Sequence, residues 1–438
     1  MKLETCIWIL LISFLRFSSC QQTTYPCSPT GTNVTCSCFF DARLNGTSVN
    51  CLAQGLTSFP TGFDSIPEDE PVVLLELGNN SIAAIGETDL NNFDRLEVLV
   101  MSDCNLTASA VNDFAFFDST TLTTLILNNN PDLKEIPLPP AGLVSLELKN
   151  CGLNETRRNA LDLSSLQNLP YLVELSLDNN GLTEWPINFP PKLGVLKLAD
   201  NLLSKMSDLS DLTRLEQLLL DNNKITTLDS TVPKMPSSLH VLSLDYNLIN
   251  SINDDYFHNL NFIEDLSIGN TYMNYISGIA FQGMAPQFSG HQIRISFRNS
   301  AYLEFISQEL FDPFLYSVNS YDILEIELDG TPLDCECEMV WIPRLLNNLE
   351  KDKGLSPKNV TISGTCLKPA ELSGRTLSSL SEADIPCNRP TSPPSPGTVN
   401  NSGRNAAIVL GLILALVVVS SVVYFVYNRY FKSTYLTV

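Results

Sequence analysis

The sequence predicts an α/β solenoid, a horseshoe with a parallel concave sheet and an irregular convex side, closed by disulfide caps and followed by one transmembrane helix. Three observations predict it: a leucine frame that recurs, cysteine clusters on either side of the frame, and one long charge-free apolar run. Residues 172–182, LVELSLDNNGL, place Leu172, Leu175, Leu177, Asn180 and Leu182 at the spacing LxxLxLxxNxL. The frame returns at Leu193, Leu215 and Leu239 and is readable upstream at Val72, Leu96, Leu122 and Leu143. Downstream it fades at Ile263 and Gln292 and resumes at Ile323. Numbered 1 to 11 along the chain, these units start 21–31 residues apart. Most intervals fall within the roughly 20–29 residues of a stacked one-strand repeat.

Within each unit the xLxL core alternates with period two, which describes a short strand with one buried face. Leu175 and Leu177 point inward; Glu174, Ser176 and Asp178 point out. A single unit cannot bury its leucines alone, so units stack and share one core. At about 4.8 Å per strand the sheet is roughly 50 Å wide. Asn80, Asn130, Asn180, Asn201, Asn223 and Asn247 hold the ninth position of their units. An amide there has donors and an acceptor for backbone groups that would otherwise be buried unpaired. Cys104, Cys151, Thr271 and Ser300 replace it elsewhere. Units 9 and 10, around residues 263–305, match the frame least well, and irregular geometry is expected there. The connectors KEIPLPPAGL, EWPINFPPKL and STVPKMPSSL are proline-rich and favour extended backbone, whereas INDDYFHNLNFI is long enough for a helical turn. This mixture resembles extracellular leucine-rich repeats, including those of the small leucine-rich proteoglycans, and not the long-helix ribonuclease-inhibitor type.

Residues 1–20 read as a signal peptide: Lys2, the apolar CIWILLISFL, and the small residues Ser18, Ser19 and Cys20 before Gln21. The rival reading, a membrane anchor, needs a longer apolar run. Four cysteines lie in the region 21–62 before the repeats (Cys27, Cys36, Cys38, Cys51) and four in the region 331–388 after them (Cys335, Cys337, Cys366, Cys387). The repeats themselves occupy 63–330. Each cluster holds a C-x-C, and VNCLAQGLTSFP and GTPLDCECEMVWI resemble the amino- and carboxy-terminal caps of secreted leucine-rich repeat proteins. Spacing alone allows three pairings per set of four. The resemblance implies Cys27 with Cys38, Cys36 with Cys51, Cys335 with Cys366, and Cys337 with Cys387. Zinc is the competing use of C-x-C, and a secretory context favours disulfides. Cys104 and Cys151 hold ladder positions two units apart, about 10 Å by strand spacing, beyond the ~7 Å limit for a bridge. They are expected to be buried free thiols.

Seven N-x-S/T sequons start at Asn33, Asn45, Asn79, Asn105, Asn154, Asn359 and Asn400, consistent with a glycosylated ectodomain. Residues 406–427 carry no charge and at 1.5 Å per residue span about 33 Å, enough to cross a bilayer. A lipid-anchor signal is the rival, but such signals end in their hydrophobic tail. Here eleven residues follow, with Arg429 and Lys432 beside the run, which favours a single-pass type I plasma-membrane protein. The Pro/Ser-rich stretch 389–405 reads as a stalk. The tail 428–438 ends in STYLTV. Val438 resembles the end of a PDZ-domain ligand, and Tyr435 sits in patterns resembling a sorting signal and an inhibitory adaptor motif. A plain stop-transfer tail is the other reading.

The net charge is −22, and the extracellular part alone is more acidic still. That makes nucleic acid and heparin-like polyanions poor partners and a basic protein ligand plausible, or it serves solubility alone. The frame turns Glu174, Asp178, Lys197, Asp221, Asp245, Tyr246, Asp265, Arg294 and Arg298 toward the concave side, with an acidic middle giving way to a basic end. Asp178, Asp221 and Asp245 share one position and are expected to form an acidic column. The three histidines (His240, His258, His291) fit no catalytic motif, so no enzyme, cofactor or metal site is expected. The function that follows is a cell-surface receptor or adhesion protein. It binds an extracellular protein ligand or co-receptor on its concave face. The alternatives are an innate-immune receptor for microbial or lipid-bearing ligands and a matrix protein shed at the stalk.

Overall fold

A computed structural model describes residues 24–387 apart from 68, 112–114, 118, 155–159, 229–234, 285–291, 317–321 and 350–358. The leader, the stalk with Asn400, the apolar run 406–427 and the tail with Tyr435 and Val438 lie outside the described residues. Among those described, no helix is long and apolar enough to cross a membrane.

Each of the eleven units supplies one short strand, from Val72–Glu76 in unit 1 to Ile323–Glu327 in unit 11. They lie in chain order within one fifteen-stranded sheet. Every junction between them is parallel and in frame, so the fourth-position side chains form one row from Leu75 to Ile326. Unit 5 shows the logic: Leu172, Leu175, Leu177 and Leu182 are all buried. Residues 227–228, 251–252 and 275–276, in successive connectors, pair as a second, smaller parallel sheet. The long connector carries turns at 254–259 and no helix.

The ninth position joins neighbouring units. Asn201 Nδ2 donates to the carbonyls of Leu177 in unit 5 (3.1 Å) and Leu198 in unit 6 (3.0 Å). Its Oδ1 accepts the N–H groups of Asn180 (3.1 Å) and Leu182 (3.0 Å). Asn130, Asn180, Asn223 and Asn247 repeat the pattern across their own junctions. Each of these groups, if left buried and unpaired, would cost about 1–3 kcal/mol. Cys104 and Cys151 are free, buried thiols that donate Sγ–H to the carbonyls of Leu77 and Leu127, both at 3.2 Å. A thiol is a weak acceptor, so it replaces only part of the amide.

The strands of units 9 and 10 are regular, contrary to expectation. Their strands Asp265–Ser267 and Gln292–Ser296 pair in frame, Leu266 opposite Ile295. The Thr271 and Ser300 hydroxyls lie 3.3 Å apart at the ladder position. The longer connectors are filled by phenylalanines: Phe257 stacks on Phe281 with centroids 5.1 Å apart, and Phe281 meets Phe314 edge-on at 5.2 Å. Register shifts fall instead in the caps, at Thr47/Ser48 where the amino-terminal cap meets unit 1 and at Leu333/Asp334 beyond unit 11.

Position 8 was not singled out by the leucine frame, yet it has one conformation throughout. All eleven residues have φ between 53° and 74°: nine Asn or Asp, Tyr246 and Gly330. Asn, Asp and Gly tolerate this left-handed turn; for tyrosine it costs on the order of 1 kcal/mol. A Cβ on Gly330 would lie 2.0 Å from Asn299 Oδ1, so that position also needs glycine for space.

The caps cover both ends of the stack. Strands Tyr25–Cys27 and Cys36–Asp41 are antiparallel, and Gly46–Asn50 turns parallel to unit 1. At the far end Asn359–Ser363 adds one parallel strand to unit 11, and helix Trp341–Asn348 packs beside it. Four disulfides hold the caps: Cys27–Cys38, Cys36–Cys51, Cys335–Cys366 and Cys337–Cys387.

Burial pushes the thiol of Cys104 up to about 11 and that of Cys151 up to about 12, against weaker opposing hydrogen bonds from the backbone N–H groups of Asn80 and Asn130. The folded chain at about pH 8 therefore holds almost no thiolate at either site. Both cysteines should resist alkylation until the chain is unfolded; mass mapping that finds rapid labelling, or a Cys104–Cys151 disulfide, contradicts this.

Candidate ligand-binding face

The outward residues of the sheet are those at positions 3, 5 and 7, between and just after the buried leucines. In units 4 to 10 most of them are polar and many pair with one another, while Val195, Leu219 and Val241 are half-buried apolar members of the same face. Glu174 accepts from Lys197 Nζ at 2.6 Å, with both side chains mostly buried. Asp265 lies directly opposite Arg294, whose Nε donates to Oδ1 at 3.1 Å and whose Nη2 meets Oδ2. Arg298 pairs with Asp329 at 3.2 Å and with Glu327 at 3.6 Å. Arg294 and Arg298 therefore do not make a basic end: the sheet register brings an acid to each.

The structure aligns Asp178, Asp221 and Asp245 at position 7, with Ala199 between the first two. Each receives a backbone N–H from the next unit: Ala199 to Asp178 at 2.8 Å, Asp245 to Asp221 at 3.0 Å, Gly269 to Asp245 at 2.6 Å. Each also receives a serine hydroxyl, from Ser176, Ser243 and Ser267. The column is thus first a structural seam along the sheet edge. No ion pair reaches these three among the described residues, unlike Glu174 and Asp265. Tyr246 follows Asp245 and is exposed, its hydroxyl without a hydrogen bond among the described residues.

The first three units differ. Leu74, Val98, Val100 and Ile126 occupy the same outward positions and are half-buried. Phe39 of the cap continues their row through Ser48. The outward face is therefore richer in apolar side chains in units 1 to 3 and richer in charged ones from unit 4 on. These apolar residues were missed because composition does not separate an outward valine from a core one. Their position in the frame was the available signal. The six described sequon asparagines, Asn33, Asn45, Asn79, Asn105, Asn154 and Asn359, are all exposed. Among the described residues no cluster of three His, Cys, Asp or Glu has the arrangement of a metal site.

The leucine rich repeat family model matches residues 237–285. The chain carries leucine-rich repeats and is similar to extracellular leucine-rich repeat proteins. It is 31% identical to Toll-like receptor 6 of Mus musculus over 173 residues, 38% of this chain and 21% of that one. It is 28% identical to podocan of Mus musculus over 291 residues, covering 56% and 47% of the two chains, and 29% identical to osteomodulin of Rattus norvegicus, covering 36% and 49%. The matched regions thus span less than half the length of each of these relatives. A chain from the octameric complex of Latrophilin 3, Unc5D and FLRT2 aligns with a TM-score of 0.44 at 21% identity, covering 78% of this chain and 82% of that one.

Burial holds the Asp178 and Asp221 carboxyls above the usual carboxylate range; at Asp221 the Ser243 hydroxyl opposes this and the Asp245 charge adds to it. A carboxyl whose folded pKa is raised contributes stability below the unfolded pKa of about 3.9. That contribution is lost as pH rises through the folded value. The melting temperature of Asp221→Asn should therefore gain on the parent as pH rises from about 4 toward neutrality. A constant difference across that range contradicts the burial account.

Proposed function

We propose that the chain is a cell-surface protein that binds an extracellular protein ligand along the outward face of its sheet, as a receptor or adhesion molecule rather than an enzyme. The observation that carries this reading is an apolar cluster on that face in units 1 to 3 (Leu74, Val98, Val100, Ile126) beside a stretch rich in ion pairs (Glu174 with Lys197, Asp265 with Arg294). An apolar patch beside satisfied polar groups is the usual anatomy of a protein interface. The ion pairs fix the polar part in one geometry, so a partner meets a preorganised surface. Four disulfides support an oxidising, extracellular setting. Under this reading residues 406–427 anchor the chain as a type I protein, and the tail with Tyr435 and Val438 is its cytoplasmic end.

A second reading, an innate-immune receptor for lipid-bearing ligands, draws on the same apolar rows. The two separate by experiment. The full chain, displayed on cells, is screened against a library of extracellular proteins and against acylated peptides in parallel. Val98→Thr/Val100→Thr/Ile126→Thr keeps strand propensity while making the patch polar. A protein binder that weakens by about tenfold or more on this variant, equivalent to about 1.4 kcal/mol, supports the first reading. Binders indifferent to the variant contradict a role for the apolar rows, and acylated peptides as the sole binders favour the second.

A further inference from the structure

Beyond the outward face of the sheet, we propose that the loop edge of units 8 to 10 is a second docking surface, one that takes a basic, apolar-tipped segment of an extracellular protein. Its members are Tyr246, Leu248, Tyr272 and Tyr302, flanked by Asp221 and Asp245. Tyr246 is 61% exposed, Tyr302 59%, Tyr272 51% and Leu248 38%. Tyr272 and Tyr302 come from successive units and stack with centroids 6.3 Å apart and planes 26° apart, so two rings form one aromatic plate. Large exposed aromatics with few rotatable bonds are the side chains that dominate protein recognition.

Tyr246 is the sharpest of these. It holds the left-handed turn at φ 57°, where nine other units have Asn or Asp and one has Gly. Its ring contributes nothing to the core and its hydroxyl bonds to nothing among the described residues. Local strain kept at an exposed position is an observation that points to use. The sequons point the same way. Asn79, Asn105 and Asn154 lie on this loop edge in units 1, 2 and 4 and are exposed, whereas residues 172–322, units 5 to 10, contain no sequon. The aromatic half of the edge is thus the half that glycans leave bare.

Charge selects the occupant. The acids of the sheet face nearby have cations of their own: Glu174 has Lys197, Asp265 has Arg294, Glu327 and Asp329 have Arg298. Asp221 and Asp245 have none among the described residues, and they adjoin Tyr246 in sequence and register. Arginine or lysine over a tyrosine ring and beside an uncompensated carboxylate satisfies both features at once. Leu248 supplies contact for an apolar neighbour.

The test uses the full chain displayed on cells and two phage-displayed peptide libraries, identical except that alternate fixed positions are Arg in one and Glu in the other. The Arg library should enrich at least about tenfold over the Glu library. That preference should be lost on Tyr246→Asn/Tyr272→Ser/Tyr302→Ser, which keeps every charge, and retained on Val98→Thr/Val100→Thr/Ile126→Thr. Equal enrichment of the two libraries, or a preference that survives the triple tyrosine variant, overturns the proposal. A concentration-dependent dimer abolished by the same variant overturns it too, by assigning the surface to a second copy. Tyr246→Asn alone should raise the melting temperature while lowering Arg-library enrichment. A lowered melting temperature would mean that the ring serves the fold, and would overturn the proposal for Tyr246.

Discussion

One side-chain amide per unit sets the terms for the rest of the structure. A parallel sheet built from strands of three to five residues leaves each unit turning inward after its second leucine, with amides and carbonyls pointed into an apolar interior. Asn201 answers two N–H groups and two carbonyls at once, across the junction between units 5 and 6. The same bonds fix the spacing between strands, and the spacing fixes which outward side chains meet. The pairs Glu174–Lys197 and Asp265–Arg294 are consequences of that register. So is the stacking of Tyr272 on Tyr302.

The ladder also explains what the ends must do. A stack has no natural stop, and an uncovered terminal unit would expose leucines and unpaired strand edges. The amino-terminal cap meets this with an antiparallel pair and the shift at Thr47/Ser48. The carboxy-terminal cap adds one more parallel strand, Asn359–Ser363. Disulfides at both ends hold elements too small to be stable by burial alone. Where cysteine, threonine or serine replaces the ladder amide, the neighbouring units carry the register: Cys104 and Cys151 each sit beside units with asparagine, and units 9 and 10 rely on buried phenylalanines.

The strands, the ladder and the buried thiols were legible in the sequence because each depends on local spacing. The regularity of units 9 and 10 was not, since it rests on Phe257, Phe281 and Phe314, which lie in connectors outside the frame. The neutralisation of Arg294 and Arg298 was hidden for another reason. Their partners stand 29 or more residues away, and only the register of the folded sheet brings them opposite. The apolar rows at Leu74, Val98, Val100 and Ile126 were in plain view but look like core by composition. The left-handed turn at position 8 has a signature in nine Asn or Asp residues, and Tyr246 stands out only once that turn is known.

Function, on this account, lies in what the register leaves over: apolar rows at one end, an aromatic edge at the other, and charges in between that are mostly satisfied. All of it presupposes that the ladder, not the leucines alone, holds neighbouring units in frame. Hydrogen exchange on an Asn201→Ala variant tests that directly. The account predicts that the Asn180 and Leu182 amides, which lose their acceptor, exchange at least about tenfold faster while amides in units 1 to 3 keep their protection. Unchanged exchange at Asn180 and Leu182 would contradict it, and so would a loss spread evenly over all units.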